Sequence, residues 1–480
     1  MTTQSVDPRT GLSFGPIYPE TENETRDAII ARAISAYPIW MRTSSEKRAE
    51  FLVRIADALD AHTEELVILA DSETALGVAR LTGEVARMTF QFRAFALALE
   101  NGITKNVLDA AVDAPLPQGH PKFVKTYRGI GVAAVYGASN FPFAFSVLGG
   151  DTASALAAGC PVIVKAHPAH PQTSQRVFDI ATQALKKAGA PDGLIGIGHG
   201  FDFGAKLIKD SRISAAAFTG SRKGRRALFD LALSRPAPIP FYGELGSVNP
   251  VVATASALKN VEHFVGSYLD SLFMGGGQFC TNPSLLFVPV STEFISQLSR
   301  QLADRSPQPF LSEATKKLHD ANRIQLFSSL GGESLKGNNA PNTGFFSTPE
   351  VVVVAAKDVT GNDSLDIECF GPTGVVITYA DVSEVLEILT QLEGALVGSL
   401  FADASDEEVP SLLEALSAIV GRVAWNAWPT GVSVTAGQNH GGPYPASTSP
   451  LHTSVGLDAI YRFMRPVTFQ GLPDELTSLL

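Results

Sequence analysis

At 480 residues the chain is long enough for two or three domains, each with its own core. A make-up that is 45% hydrophobic and 18% charged is that of a compact soluble protein, and a net charge of −11 repels nucleic acid and anionic membranes at long range. Three cysteines exclude a disulfide framework, no apolar run nears the ~20 residues that span a bilayer, and residues 1–7 carry no signal-peptide pattern, so a cytoplasmic location is expected.

Residues 24–100 read as helices: Asn23, Glu24 and Thr25 can start one, and 48–69 shows apolar residues at Phe51, Leu52, Ile55, Leu59 and Leu66. A proline-bearing stretch, 111–122, separates these helices from the remainder of the chain. From 129 short apolar runs alternate with helix-length segments. Strands are predicted at 131–136, 161–165, 193–197, 213–218 and 239–244, with helices at 146–158, 171–188, near 202–209 and from 221 to about 234. That alternation predicts right-handed crossovers and a parallel sheet, whose ligands bind beyond the carboxyl ends of the strands. Asn140, Lys165, Thr219 and Glu244 all fall there. A second α/β series occupies 247–430, with strands at 248–253, 285–290, 351–355, 375–379 and 422–425 and a helix near 257–273. The tail, 460–469, reads as a lone strand, for which a neighbouring subunit's sheet is the expected partner.

Among the motifs, Gly275-Gly276-Gly277-Gln278-Phe279-Cys280-Thr281-Asn282-Pro283 comes first. Glycines on one side and Asn-Pro on the other place Cys280 in a sharp turn, where core filler is not normally put. An inert loop thiol is the bland reading. A nucleophile, acting as thiolate with a carboxylate base at Glu244, is the other. Asn140, in Tyr136-Gly137-Ala138-Ser139-Asn140-Phe141-Pro142, can cap a helix, or can donate its amide N–H to an oxyanion beside the Cys280 backbone N–H. Such donors are worth about 3 kcal/mol each in a transition state. Lys165 ends a strand, where it is either a solvated charge or within reach of nucleotide ribose and phosphate. Thr219-Gly220-Ser221 leads from strand to helix and offers free N–H groups to a pyrophosphate, without the glycine spacing of the common dinucleotide fingerprint. Arg222, Lys223, Arg225 and Arg226 are a solvated helix face or a source of positive potential. Glu368 and Phe370, in Glu-Cys-Phe-Gly-Pro at 368–372, lie on a surface turn or hold a ribose and a nicotinamide ring. Cys160 and Cys369 read as packing thiols. The nine histidines, His167 and His170 included, lack partners at ligand spacing, and no metal is expected.

Together these motifs resemble the aldehyde dehydrogenase superfamily, from about residue 20 to the C-terminus and in the family's order. The segments YGASNFPFAFSVLGGDTASALAAGCPVIVKAHPAHP at 136–171, GQFCTNPSLLFVP at 277–289, HGGPYPAST at 440–448 and TSVGLDAIYRFMRPV at 453–467 are similar to one branch. That branch comprises the ketoglutarate semialdehyde (2,5-dioxovalerate) dehydrogenases and the NADP-dependent fatty-aldehyde enzymes. Gln172 and Ser284 depart from it, standing where the branch commonly has glycine; Gln172 is expected to alter the loop near the adenosine end. The resemblance implies an α/β fold with three parts. These are a Rossmann-type parallel-sheet cofactor domain (1–110 and 129–246), an α/β catalytic domain (247–445) and a small β oligomerisation arm (111–128 and 446–480).

The resemblance also implies Cys280 as nucleophile, Glu244 as general base and Asn140 at the oxyanion. Cofactor contacts are implied for Ser139, Lys165, His167, Pro168, Thr219, Gly220, Ser221, Gly246, Glu368 and Phe370. Many NAD-using members carry a glutamate three residues after the strand-end lysine; here Pro168 stands there. Loss of that carboxylate removes repulsion against a 2′-phosphate, so NADP is expected to serve at least as well as NAD. The expected reaction is oxidation of 2-oxoglutarate semialdehyde to 2-oxoglutarate by a homodimer or homotetramer. A fatty or aromatic aldehyde shares every motif. A CoA-acylating enzyme is disfavoured by Glu244, and a cofactor-free thiol esterase has no use for the 218–221 turn or Glu368. A catalytically idle binding protein is disfavoured by the presence of both Cys280 and Glu244. No arginine in 431–445 offers itself to a distal carboxylate.

Overall fold

The chain begins with a hairpin, β1 (Thr2–Asp7) and β2 (Leu12–Pro19), that its sequence does not announce. β2 is largely exposed and β1 half-buried, neither has an apolar alternation, and only Ser5 of β1 is buried. The structure, a computed structural model, describes residues 2–115, 117–220 and 222–477; Ser221 lies outside the described residues. Four helices come next, α1 (Asn23–Arg42), α2 (Ser45–Asp60), α3 (Thr63–Thr74) and α4 (Val78–Glu100). The apolar stripe of 48–69 is shared by two helices rather than one. Phe51, Leu52, Ile55 and Leu59 belong to α2 and Leu66 to α3, and all are buried. The break falls at Ala61–His62, where the Thr63 hydroxyl donates to the Asp60 carbonyl at 2.9 Å and so competes with the helical bond.

The next strands are β3 (Val107–Asp109), β4 (Phe123–Gly129) and β5 (Val132–Tyr136). After them come α5 (Gly150–Ala157), β6 (Val162–Lys165), α6 (Pro171–Lys187), β7 (Ile195–Gly198) and α7 (Phe201–Lys209). The series closes with β8 (Ile213–Gly220), α8 (Arg222–Leu233) and β9 (Phe241–Leu245). β7-β6-β5-β8-β9 form one parallel sheet. Both its faces are covered, as an all-parallel sheet requires. In β5, Ala133 and Val135 join a core with α2, α4 and α6, while Val132, Ala134 and Tyr136 join another with α1 and α7. The chain runs outward from β5 to β7 and then returns to β8. The topological switch point, where such sheets bind ligands, is therefore between β5 and β8. The helix expected from 146 starts four residues later, because residues 138–149 form turns held from α4.

The second sheet takes β10 (Pro250–Ala253), β11 (Leu285–Pro289), β12 (Glu333–Lys336), β13 (Glu350–Ala355), β14 (Thr373–Tyr379), β15 (Gly398–Phe401) and β16 (Val423–Trp425) in the order β12-β13-β14-β11-β10-β15-β16. It is parallel except for the β12–β13 pair. Helices α9 (Val261–Phe273), α10 (Thr292–Ala303) and α11 (Glu313–Leu330) cover it. β12 and β15 are four residues long and escape a reading by periodicity.

One expectation is corrected in the tail. Residues 457–463 form a 3-10 helix that buries Ile460 and Phe463 in the first core, and only Met464–Gln470 is a strand, β17. β17 finds its partner within the chain, pairing antiparallel with β4 in the three-stranded sheet β17-β4-β3. Among the described residues no helix is long and apolar enough to cross a membrane.

Candidate active site

Cys280 sits between a 3-10 turn and β11, on a loop whose shape its sequence imposes. Gly275, Gly276 and Gly277 have φ of +58°, +68° and +73°, left-handed values that glycine adopts without penalty. At Gly277 a Cβ would also lie 2.1 Å from the Gly371 carbonyl oxygen, so this residue is where the loop meets the Gly371–Pro372 turn. Amide side chains tie the loop down on each side. Gln278 Nε2 donates to the carbonyls of Gly275 and Pro309, both at 3.2 Å, and Asn282 Nδ2 to that of Leu272 at 2.7 Å. Asn249 Nδ2 donates to the Cys280 carbonyl at 2.9 Å. The strand ends brought beside this loop are those of the first sheet.

Glu244, next to the last residue of β9, is buried, and so is His440, from the loop after β16. His440 Nε2 lies 2.7 Å from Glu244 Oε1 and 3.7 Å from Cys280 Sγ. The Ser454 hydroxyl donates to the other carboxylate oxygen of Glu244. His440 is positioned by backbone: its N–H donates to Thr453 Oγ1 and its carbonyl accepts the Ser454 N–H, both at 2.8 Å. Ligand-capable atoms of Glu244, Cys280 and His440 all lie within 4.8 Å of one another. With His440 Nε2 only 2.7 Å from a Glu244 carboxylate oxygen, the two side chains are close enough to share a proton.

Electrostatics sets the resting protonation. Burial pushes the Cys280 thiol well up, and the negative charges of Glu244 and Glu368 push it further. Burial also raises Glu244, but attraction and hydrogen bonding from His440, with the Ser454 bond, outweigh it and hold the carboxyl below its ordinary value. At rest the proton therefore stays on sulfur and Glu244 is a carboxylate, with the His440 imidazole beside both. Cys160 and Cys369 are both buried, with thiols pushed by burial to about 11 and about 12.

Asn140 comes just after β5 and is buried; its Nδ2 donates to the Gln278 carbonyl at 2.9 Å, which pins the Asn-Phe-Pro turn to the cysteine loop. Lys165, at the end of β6, is buried with its ammonium 4.8 Å from the centre of the Phe201 ring, and burial lowers its pKa to about 8. His167 and His170 stack at 5.6 Å, and His170 Nε2 contacts the Ala138 carbonyl at 2.8 Å, joining the exits of β5 and β6. Pro168 is half-buried in the turn after β6, Ser139 in the turn after β5, and Thr219 and Gly220 at the end of β8. Gly246 faces Glu368, whose carboxylate oxygen would lie 1.9 Å from a Cβ there. Half-buried Phe370 continues that turn, which Asn322 Nδ2 holds through the Glu368 carbonyl at 2.8 Å. These residues rim the carboxyl ends of the first sheet around its switch point, and their donors and acceptors fit a nucleotide's ribose and phosphate groups. Arg226 pairs with Asp230 at 2.9 Å on an exposed helix surface, the solvated-face reading.

Gln172 has a structural role. Its Nε2 donates to Ser5 Oγ at 2.7 Å and tethers the N-terminal hairpin over the start of α6. There Glu73 accepts the N–H groups of Gln172 at 3.0 Å and Thr173 at 2.8 Å. Sequence reasoning misses His440 and Ser454. Both lie in the segments 440–448 and 453–467, but no spacing links them to Glu244. The one signal in the sequence is a histidine opening a Gly-Gly loop beyond the last parallel strand.

A profile of the aldehyde dehydrogenase family matches residues 1–465. The chain belongs to that family. Alpha-ketoglutaric semialdehyde dehydrogenase 2 of Azospirillum brasilense is 37% identical over 99% of this chain and 92% of its own length. Alpha-ketoglutaric semialdehyde dehydrogenase of Acinetobacter baylyi is 36% identical over 99% and 93%. The crystal structure of PnpE in complex with nicotinamide adenine dinucleotide shares the fold, with a TM-score of 0.83 and 23% identity over 99% of this chain and 95% of that one. As an aldehyde dehydrogenase the chain is an NAD(P)-linked oxidoreductase acting on an aldehyde group.

Proposed function

We propose that the protein oxidises 2-oxoglutarate semialdehyde to 2-oxoglutarate through a thioester on Cys280, with NADP serving at least as well as NAD. The contiguous Cys280–His440–Glu244 cluster carries the reaction, and the two semialdehyde dehydrogenase relatives support the substrate. The absence of a carboxylate at Pro168, beside the strand-end Lys165, supports NADP.

In this reading Glu244 takes the thiol proton, and the His440 N–H turns towards the new thiolate. Cys280 Sγ bonds to the aldehyde carbon while the carbonyl electron pair moves onto oxygen, where Asn140 Nδ2 and the Cys280 backbone N–H donate to it. The cofactor would be held by Lys165 and Glu368 at its ribose hydroxyls, by Thr219, Gly220 and Ser221 at its phosphates, and by Phe370 at its ring. Ser139, His167, Pro168 and Gly246 complete its walls. When bound it supplies the hydride acceptor that leaves a thioester on Cys280. Glu244, once it has passed the thiol proton on to solvent, takes a proton from water, the hydroxide attacks the thioester carbon, and the C–S bond breaks to return the thiolate and release the acid.

The division into a cofactor domain (1–110, 129–246), a catalytic domain (247–445) and an oligomerisation arm (111–128, 446–480) belongs to the same reading. The two parallel sheets, which end and begin on either side of Gly246, support it. So does a cytoplasmic homodimer or homotetramer, for which the exposed Val107 and Leu108 on edge strand β3 supply apolar surface. The test is reduction of NADP and of NAD with 2-oxoglutarate semialdehyde, succinate semialdehyde and a long-chain aldehyde, with Cys280→Ala as control. The first aldehyde is expected to give the highest kcat/KM and Cys280→Ala no turnover. Turnover by Cys280→Ala would end the mechanism, and a preference for the long-chain aldehyde would end the substrate assignment.

A further inference from the structure

α4 directs Arg80, Glu84 and Arg87 towards the catalytic loops from positions i, i+4 and i+7, which share one helix face. Two of the three have evident structural roles. Arg80 Nη2 donates to the Asn140 carbonyl at 2.6 Å, and its guanidinium lies 5.1 Å from the Phe141 ring centre and 4.7 Å from that of Phe279. Glu84 Oε1 accepts the N–H groups of Phe143 at 2.8 Å and Ala144 at 3.0 Å, shaping the turn after Asn140.

Arg87 is different. Its Nη1 donates to the Val432 carbonyl, and its guanidinium carbon lies 5.7 Å from the Phe145 ring centre. Its Nε and Nη2 are buried and make no hydrogen bond among the described residues. Those two N–H groups form the side-on edge of the guanidinium, the pair that engages both oxygens of one carboxylate. Glu84, one turn back, makes no ion pair with it among the described residues. A buried donor pair without an acceptor costs free energy until one arrives.

Its position relates it to the reacting thiol along two routes. Val432 adjoins Gly431, whose N–H donates at 3.3 Å to Thr281 Oγ1, next to Cys280. On the other side the Phe145 ring lies 6.3 Å from that of His440, which contacts Cys280 Sγ. The guanidinium pKa is lowered by burial, and the negative charges of Glu84 and Glu244 act against that lowering. Arg87 is thus a cation placed near the reacting thiol whose side-on donor pair is buried and has no acceptor among the described residues.

We propose that Arg87 binds the distal carboxylate of the substrate through Nε and Nη2, and thereby sets the preference for a semialdehyde carboxylate over a neutral aldehyde. This rests on the substrate reading above, so the test separates the two. The ratio of kcat/KM for 2-oxoglutarate semialdehyde to that for pentanal is measured in the wild type, Arg87→Gln, Arg87→Lys and Arg422→Gln. Arg422 is the control because it flanks the same loop but spends its Nη2 on the Pro429 carbonyl at 2.6 Å. The ratio is expected to fall about 100-fold in Arg87→Gln, mainly through KM, and about tenfold in Arg87→Lys, which keeps the charge but not the fork. Arg422→Gln is expected to change it less than Arg87→Lys does. If the wild type shows no preference for the carboxylate, the substrate reading and this assignment both fail. If the wild type has the preference and Arg87→Lys retains it in full, only the assignment to Arg87 is overturned. The same holds if Arg422→Gln abolishes the preference.

Discussion

Cys280 carries its thiol among charges of the sign it must acquire, so its ionisation is held back by burial first and by Glu244 and Glu368 next. The thiol, not the thiolate, is the resting form at neutral pH. Alkylation of Cys280 by iodoacetamide is therefore expected to be slow at pH 7 and to rise through the alkaline range. A rate already at its plateau at pH 7 would contradict this. Lys165 shows the opposite sign. Burial lowers its pKa to about 8, so its ammonium is lost as pH rises through that value rather than near its ordinary 10.5. NADP affinity, followed by quenching of protein fluorescence, is expected to weaken above about pH 8 in the wild type. In Lys165→Met it should be weak throughout, without that step. Both residues are legible in the sequence as strand-end and loop groups. Their protonation is not, because a pKa depends on neighbours distant along the chain.

The element that organises the site is α4, together with the two loops it braces. Its face at 80, 84 and 87 shapes the Asn140 turn and carries a cation to the substrate side. From sequence alone α4 is one helix among four. Polar residues at helical spacing read equally well as a solvated face, and only burial distinguishes the two. The cysteine loop lies at the other extreme, since three successive glycines announce it. Gly277→Ala is expected to lower unfolding stability by about 2–4 kcal/mol, because the residue combines a left-handed φ with a Cβ position 2.1 Å from a carbonyl oxygen. Thermal unfolding measures this, and a loss below about 0.5 kcal/mol would show that the loop relaxes freely.

Across the molecule, two parallel sheets place their strand ends and loops on one cluster. Glu244 comes from the first sheet, Cys280 from the loop before β11, and His440 with Ser454 from the return segment that pairs beside β9, where Ser447 bridges Glu244. β17 pairs with β4 inside the chain, and β17 and β3 are the outer strands of that three-stranded sheet. The exposed Val107 and Leu108 of β3 favour association. Light scattering is expected to give two or four times the 50.8 kDa of the chain, and a monomer at micromolar concentration would end the oligomer proposal.

Local chemistry along the chain is enough to dictate part of this protein. The alternation of short apolar runs with helices specifies the first parallel sheet, and glycines and prolines mark the turn at Cys280. Ordered motifs place Asn140, Lys165, Glu244 and Glu368 at strand ends and turns. Which long-range partners those residues meet is settled only by packing in three dimensions. His440 reaches Glu244 across 196 residues of chain and Arg87 reaches Val432 across 345. No periodicity spans such separations. The physical reason is that burial and hydrogen bonding act through space, so a polar residue's neighbours are known only once the packed core has brought its segments together.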